Sequence, residues 1–185
     1  MKELSLNILD IAQNSVKAGA DKIEIALAET AETLSIRISD NGCGMSDDFV
    51  RRVMDPFCTT RTTRSVGMGI PLFKLAAEQT GGELKISSAT REENPHNCGT
   101  VIEGIFNKNH IDYTELGDIV STVITLIQGQ PDINWVFSHE TEGGCVRADT
   151  EELKSVLGDV PINSFEVICW IKEYLQEQYT EYGYN

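Results

Sequence analysis

Leu6-Asn7-Ile8-Leu9-Asp10-Ile11-Ala12-Gln13-Asn14-Ser15-Val16-Lys17-Ala18-Gly19-Ala20 is the stretch from which the fold is read. Leu4, Ile8, Ile11, Ala12 and Val16 recur at the spacing of an amphipathic helix and predict a core-facing stripe. Gly19 is placed to end that helix with a left-handed cap. Asp10, Asn14 and Lys17 fall at i, i+4 and i+7, so they stand in a column on another face. A carboxylate, an amide and an ammonium in one column suit a site that holds a metal-bound polyphosphate. The amide oxygen of Asn14 is a hard ligand of the kind Mg²⁺ takes beside water and phosphate. Lys17 can meet phosphate as a point charge. Asp10 can orient or deprotonate a nucleophile.

Working outward, Ile23, Ile25 and Leu27 alternate, and so do Leu34, Ile36 and Ile38; Glu29-Thr30-Ala31-Glu32 joins them as a hairpin with one buried face. Asp40-Asn41-Gly42-Cys43-Gly44-Met45 closes the second strand as a tight loop, and Ser46 suits the N-cap of a short helix through Met54. Asp55 to Val66 has no periodicity and reads as a loop. Gly67-Met68-Gly69 opens a helix to about Gln79, with Pro71 tolerated in its first turn. Leu84–Ala89 and Thr100–Phe106 read as strands. After Phe106 the pattern changes and a boundary is set between 1–107 and 108–185. Thr114–Gln128 predicts a helix, Ile133–Ser138 and Cys145–Asp149 a hairpin, and Thr150–Leu157 a short helix. Asn163 with Glu166 offers a capping box for a last helix whose inner face is Phe165, Ile168, Ile171 and Leu175. The expected class is α/β (α+β): a two-layer sandwich of a mixed, mostly antiparallel sheet with helices on one face, plus a small α/β C-terminal extension.

A chain of 185 residues is long enough to bury its own core. The net charge is −14; residues 1–107 carry 11 basic and 15 acidic side chains, and residues 108–185 carry 4 and 14. That balance argues against nucleic acid, which calls for a basic face. The acidic half serves solubility or a basic protein partner. There is no apolar run long enough to span a membrane and no visible signal peptide. The five cysteines are odd in number and include no Cys-x-x-Cys, which fits reduced thiols in the cytoplasm. Cys43 and Cys58 lie inside site stretches, where inert thiols are commoner than redox-active ones.

Four pieces now align. They are the helix bearing Asn14, then Asp40-x-Gly42-x-Gly44, then Asp55-Pro56-Phe57-Cys58-Thr59-Thr60-Arg61, and Gly67-x-Gly69 at a helix start followed by Gly99-Thr100 on a late strand. Taken singly, each has a plain reading as a turn, a helix opening or a solvated loop. Together they carry chemistry. An ionised Asp40 only accepts hydrogen bonds, which suits the exocyclic amine of adenine; guanine has an acceptor there. Gly42 and Gly44 let backbone approach a flat base. Gly67 and Gly69 present bare N–H groups at a helix N-terminus, where anions are stabilised. Arg61 and Arg64 stand in a loop that can close over phosphates. Thr100 offers a hydroxyl to support Asp40 or a bridging water.

In this order and spacing the pieces resemble the ATP-binding domain shared by histidine kinases, DNA gyrase, the ninety-kilodalton heat-shock chaperone and the mismatch-repair ATPases, the GHKL or Bergerat-fold superfamily. The resemblance covers roughly residues 4–107. It implies that Asn14 binds Mg²⁺, that Asp40, Gly42, Gly44 and Met45 form the adenine-binding first glycine box, and that Phe57, Thr59, Thr60 and Arg61 belong to a phenylalanine box. It further implies that Gly67, Met68 and Gly69 form the second glycine box and that Thr100 lies near the adenine. Asp10 stands where histidine kinases usually carry an amide and the ATP-hydrolysing members a glutamate base. No phosphoacceptor helix precedes Leu4, and Arg64-Ser65-Val66 stands where a further glycine pair is usual. His139-Glu140-Thr141 superficially resembles a phosphoacceptor motif, but it falls after the domain, in the predicted second hairpin, and is not taken as one. The expectation is a stand-alone, cytoplasmic Mg·ATP-binding signalling protein like the anti-sigma-type serine kinases, a kinase or ATPase working on a protein partner or a phosphoacceptor in trans. The alternative is a nucleotide-sensing module that changes partner binding without useful turnover.

Overall fold

The computed structural model describes residues 3–54, 68–95 and 97–184. The elements run α1 (Leu4–Lys17), β1 (Lys22–Glu29), β2 (Thr33–Asp40), α2 (Asp47–Val53), α3 (Gly69–Gln79), β3 (Glu83–Ala89), β4 (Gly99–Asn107), α4 (Ile119–Gly129), β5 (Asn134–Thr141), β6 (Gly144–Asp149), α5 (Thr150–Leu157) and α6 (Phe165–Glu181). The strands form one mixed sheet in the order β3-β4-β2-β1-β5-β6, antiparallel except where β5 lies parallel to β1.

Strict alternation decides which face is buried. Ile25 stands opposite Ile38, Ile38 opposite Ile102, and Ile25 opposite Phe137, so one apolar row crosses four strands. The helices cover this face. α1 lays Leu4, Ile8, Ile11 and Ala12 on it, while Val16 is half-buried. Gly104 on β4 leaves room for the Phe73 ring of α3, which tilts against Phe106 at 5.2 Å between centroids. The opposite face carries Glu24, Ser35, Arg37, Glu103 and Ser138, all half-buried.

Residues 108–185 extend this same sheet, because β5 adds directly to β1 and β6 to β5. Three expectations for this part need correction. The fourth helix begins at Ile119 rather than Thr114, since Gly117 takes a left-handed φ of 75° and the Asp118 side chain caps the helix by accepting from the Ser121 N–H. Ser164, not Asn163, occupies the N-cap of α6, without a side-chain cap bond. Phe165 is 77% exposed, because the buried arc of that helix runs through Val167, Ile168, Ile171, Leu175 and Tyr179. The outer edge of β6 is closed by Gln178 of α6, whose amide accepts from the Arg147 N–H and donates to the Arg147 carbonyl.

A polar cluster fastens the β1–β2 hairpin to the C-terminal part. The Glu29 carboxylate accepts from the Tyr184 hydroxyl at 2.6 Å, meets His139 Nε2 at 3.1 Å and pairs with Lys108 at 2.5 Å. His139 is fully buried and shares its other nitrogen with the Tyr179 hydroxyl at 2.8 Å. Both ring nitrogens of His139 are thus engaged and the ring is shielded from solvent. Burial pushes the His139 pKa below its ordinary value, and the Glu29 charge offsets this only in part. Burial alone would raise the Glu29 carboxyl, but hydrogen bonds from Lys108 and Tyr184, with the charges of Lys108 and His139, hold it below its ordinary value.

Both groups bind protons less well folded than unfolded, so their contribution is complete at high pH and is lost as pH falls. The melting temperature should decline as pH drops below 6.5, the ordinary histidine value, and again below 4.5, the ordinary glutamate value. In His139→Phe the first of these two declines should disappear in thermal melts across pH; its persistence would place the acid sensitivity elsewhere.

Candidate functional site

The end of β2 and the C-terminal half of α1 are held together by Asp40. Its Oδ2 accepts from the Ser15 hydroxyl at 2.6 Å and its Oδ1 from the Gly42 N–H at 2.9 Å. Each oxygen keeps a further lone pair for another donor. Ser15 itself is buried on the inner stripe of α1.

From Asp40 the chain turns back against α1. Gly42 is buried, and a Cβ there would lie 2.9 Å from both Cβ and carbonyl oxygen of Ala18. The Cys43 N–H donates to that same carbonyl at 2.9 Å. Gly44 has φ 72°, and a Cβ there would come within 1.9 Å of the Ala89 carbonyl oxygen. The Met45 N–H donates to Ser88 Oγ at 2.8 Å, and Ser88 in turn bonds the Gly99 carbonyl and the Thr100 hydroxyl, each at 2.9 Å. The loop is thus stitched to α1 on one side and to β3 and β4 on the other.

A cleft of about 630 Å³ opens beside this loop, walled by Asn14, Lys17, Gly44, Met45, Phe49 and Ile70 among others. Lys17, Arg52 and Arg91, against the one carboxylate of Glu92, give its lining an excess of positive charge, with the Arg52 guanidinium 5.6 Å from the centre of the Phe49 ring. Apolar wall and cationic rim in one cleft match a ligand with a flat hydrophobic part and an anionic part.

The expected residues fall into groups. Asn14, Lys17, Gly44 and Met45 form cleft wall, whereas Asp40 and Gly42 belong to the same loop but are not among the residues that line the cleft. Gly69, the first residue of α3, lies against Asp10: a Cβ at Gly69 would be 3.0 Å from the Asp10 Cβ. Asp10 itself is exposed, and Met68 at the α3 N-cap is 62% exposed. Thr100 is buried; its hydroxyl meets Ser88. Phe57, Thr59, Thr60, Arg61 and Gly67, with Cys58 and Arg64, lie outside the described residues. The sequence reading missed Ser15, Ser88, Phe49, Arg52 and Arg91. Ser15 carried a usable signal, since a hydroxyl on the apolar stripe of α1 needs a buried partner.

The family model for histidine kinase-, DNA gyrase B-, and HSP90-like ATPases matches residues 2–110. The chain belongs to this family. The matched residues take in the Asp40 loop, its glycines and the cleft. The sensor histidine kinase RegB of Cereibacter sphaeroides is 29% identical over 119 residues, covering 56% of this chain and 26% of that protein. The DNA mismatch repair protein MutL of Lacticaseibacillus paracasei is 27% identical over 185 residues, covering 83% of this chain and 28% of that protein. The chain thus spans about a quarter of the length of the curated relatives it matches. Among solved structures, the Aquifex aeolicus MutL ATPase domain complexed with ADP superimposes with a TM-score of 0.54 at 16% identity, over 85% of this chain and 69% of that one. At that identity the likeness is one of fold. It takes in residues beyond the family match. Among the described residues no helix is long and apolar enough to cross a membrane.

Two glycines with nearly equal backbone angles separate conformational strain from contact. Gly19 has φ 73° and open space where a Cβ would stand, with nothing within 4 Å, whereas Gly44 has the Ala89 carbonyl in the way. Gly19→Ala should destabilise by about 1–2 kcal/mol, and Gly44→Ala by about 3 kcal/mol or more, since the loop must also move. Denaturant melts giving equal losses for the two would show that the Gly44 loop moves freely off β3.

Proposed function

We propose that this chain binds Mg·ATP at the cleft between α1 and the Asp40 loop and uses it, with a partner protein, for phosphoryl transfer or hydrolysis. The observation that carries the reading is the double anchorage of the Asp40 carboxylate by Ser15 and the Gly42 N–H. A carboxylate fixed in this way is an acceptor aimed before any ligand arrives, and adenine presents a donor at the matching position. The apolar wall of the cleft suits a purine, and Lys17, Arg52 and Arg91 suit a polyphosphate.

The donor set fits the metal as well. Asn14 is half-buried on the cleft wall and offers a neutral oxygen, the kind of ligand Mg²⁺ accepts beside phosphate oxygens and water. When bound, Mg²⁺ would neutralise phosphate charge. The chain's own part in the chemistry falls to the column on α1. Asp10 lies one helical turn before Asn14, against the N-terminus of α3. In that place its carboxylate is suited to hold the proton of an attacking hydroxyl or water, while Lys17 holds phosphate one turn further on. The acidic residues 108–185 supply surface for a partner, and the sensor histidine kinase among the relatives supports a signalling role.

Labelled ATP in a single-turnover assay, with and without lysate of the source organism, separates the uses: label in free phosphate marks an ATPase and label on protein a kinase. Label in neither would leave only nucleotide sensing.

Asp40→Ala removes a charge-assisted hydrogen bond worth about 1.5–3 kcal/mol and should weaken ATP binding at least about tenfold by calorimetry. The intact protein should prefer ATP to GTP; equal affinities would displace adenine from Asp40.

Asp10→Asn keeps size but cannot accept a proton. It should leave ATP affinity within about threefold and lower turnover by about a hundredfold or more, while Asp10→Glu should retain activity. Undiminished turnover in Asp10→Asn would remove Asp10 from the chemistry.

A further inference from the structure

The outward face of α6 has a composition that neither the fold nor the nucleotide cleft explains. Trp170 and Tyr174 stand one turn apart, 48% and 38% exposed, with their rings stacked at 5.6 Å between centroids and 13° between planes. Glu166, Glu173, Glu177 and Glu181 surround them on the same side of the helix, all exposed. Among the described residues none of these four carboxylates takes part in an ion pair. Lys172, the one basic residue of α6, sits near enough to Asp118 at the start of α4 to act on its charge, so it lies towards that neighbour.

Two features of this face are unfavourable in the free protein. Glu173 and Glu177, and again Glu177 and Glu181, are like charges at i, i+4, which repel on a helix. The stacked indole and phenol leave a large apolar surface in water, although the helix buries a full stripe of Val167, Ile168, Ile171 and Leu175 elsewhere. One kind of ligand relieves both. A guanidinium lies flat on an aromatic face while its N–H groups reach carboxylates beside it; an ammonium supplies the charge without the plane. A polyanion such as nucleic acid or an acidic lipid surface is repelled by the same four glutamates and by the 4 basic against 14 acidic side chains of residues 108–185.

We propose that the Trp170–Tyr174 face of α6 docks an arginine-bearing segment of a partner polypeptide. Guanidinium groups stack on the exposed rings, and the glutamates on either side hold them in register. Charge complementarity selects the partner, and the planar stack distinguishes arginine from lysine. The surface is separate from the nucleotide cleft, so its occupancy does not depend on the assignment of that cleft.

The test uses the intact protein and synthetic peptides of about twelve residues that alternate glycine with arginine, lysine or glutamate. The arginine peptide should bind at least fivefold more tightly than the lysine peptide by calorimetry, and the glutamate peptide should not bind. Trp170 fluorescence should change on binding; the other tryptophan, Trp135, is buried and donates to the Gln130 carbonyl. The double variant Trp170→Ala/Tyr174→Ala should lose at least tenfold in affinity while still melting cooperatively, because neither side chain belongs to the buried core. Glu173→Gln/Glu177→Gln should lose about as much, whereas Glu32→Gln/Glu115→Gln, an equal change in net charge at exposed positions outside α6, should lose less than twofold. Equal binding of the arginine and lysine peptides, unchanged affinity in the aromatic variant, or equal losses in the two glutamate variants would each reduce the effect to overall charge and overturn the proposal.

Discussion

One hydrogen bond ties the two layers together at the loop beside the cleft. The Ser15 hydroxyl, buried on the core stripe of α1, donates to Asp40 at the very end of β2 at 2.6 Å. A buried hydroxyl without a partner is costly, and a half-buried carboxylate such as Asp40 also gains from donors. Each satisfies the other only if helix and strand meet at one angle and one depth. That fixes where Asp40 points, where its loop begins, and therefore where the cleft opens.

The rest of the site follows by close approach. Backbone must pass Ala18 at Gly42 and Ala89 at Gly44 with no room for a side chain, and bonds from Cys43 to Ala18 and from Met45 to Ser88 close the loop on both flanks. The missing side chains at these glycines let the backbone lie flat on its own supports. The loop is rigid for the same reason that it is glycine-rich. An acceptor held in this way loses little freedom when it meets a donor.

The C-terminal residues solve a different problem. A sheet ending at β1 would expose a long apolar edge strand; β5 pairs with it in parallel and continues the buried row through Trp135 and Phe137. Parallel pairing requires a crossover, and α4 provides it, packed against α1 and α6. The Glu29 cluster then joins the turn of the first hairpin to β5, α6 and the penultimate residue Tyr184, so the chain end is held by the same carboxylate as Lys108. Removing the edge creates a new one at β6, and Gln178 closes it with a single side-chain amide.

The sequence by itself determined whatever depends on local periodicity and on residue type. Alternation in Ile23, Ile25 and Leu27 and in Leu34, Ile36 and Ile38 located the first hairpin and its buried face, and helical spacing located α1 with Asn14 and Lys17 on a common side. The order of the glycine boxes pointed to the ATP-binding family. Three things lay beyond its reach. The parallel β1–β5 pairing joins segments more than a hundred residues apart, and no local pattern states which edge a later strand will find. The start of α4 was misplaced because Leu116 fits the helical stripe while Gly117 and Asp118 break and cap it, a contest that the cap geometry settles. The partnership of Ser15 with Asp40, of Ser88 with Met45 and Thr100, and of Arg52 and Arg91 with the cleft rim arises between elements. A sequence lists which groups seek partners; only the packed chain brings each to the one within about 3 Å.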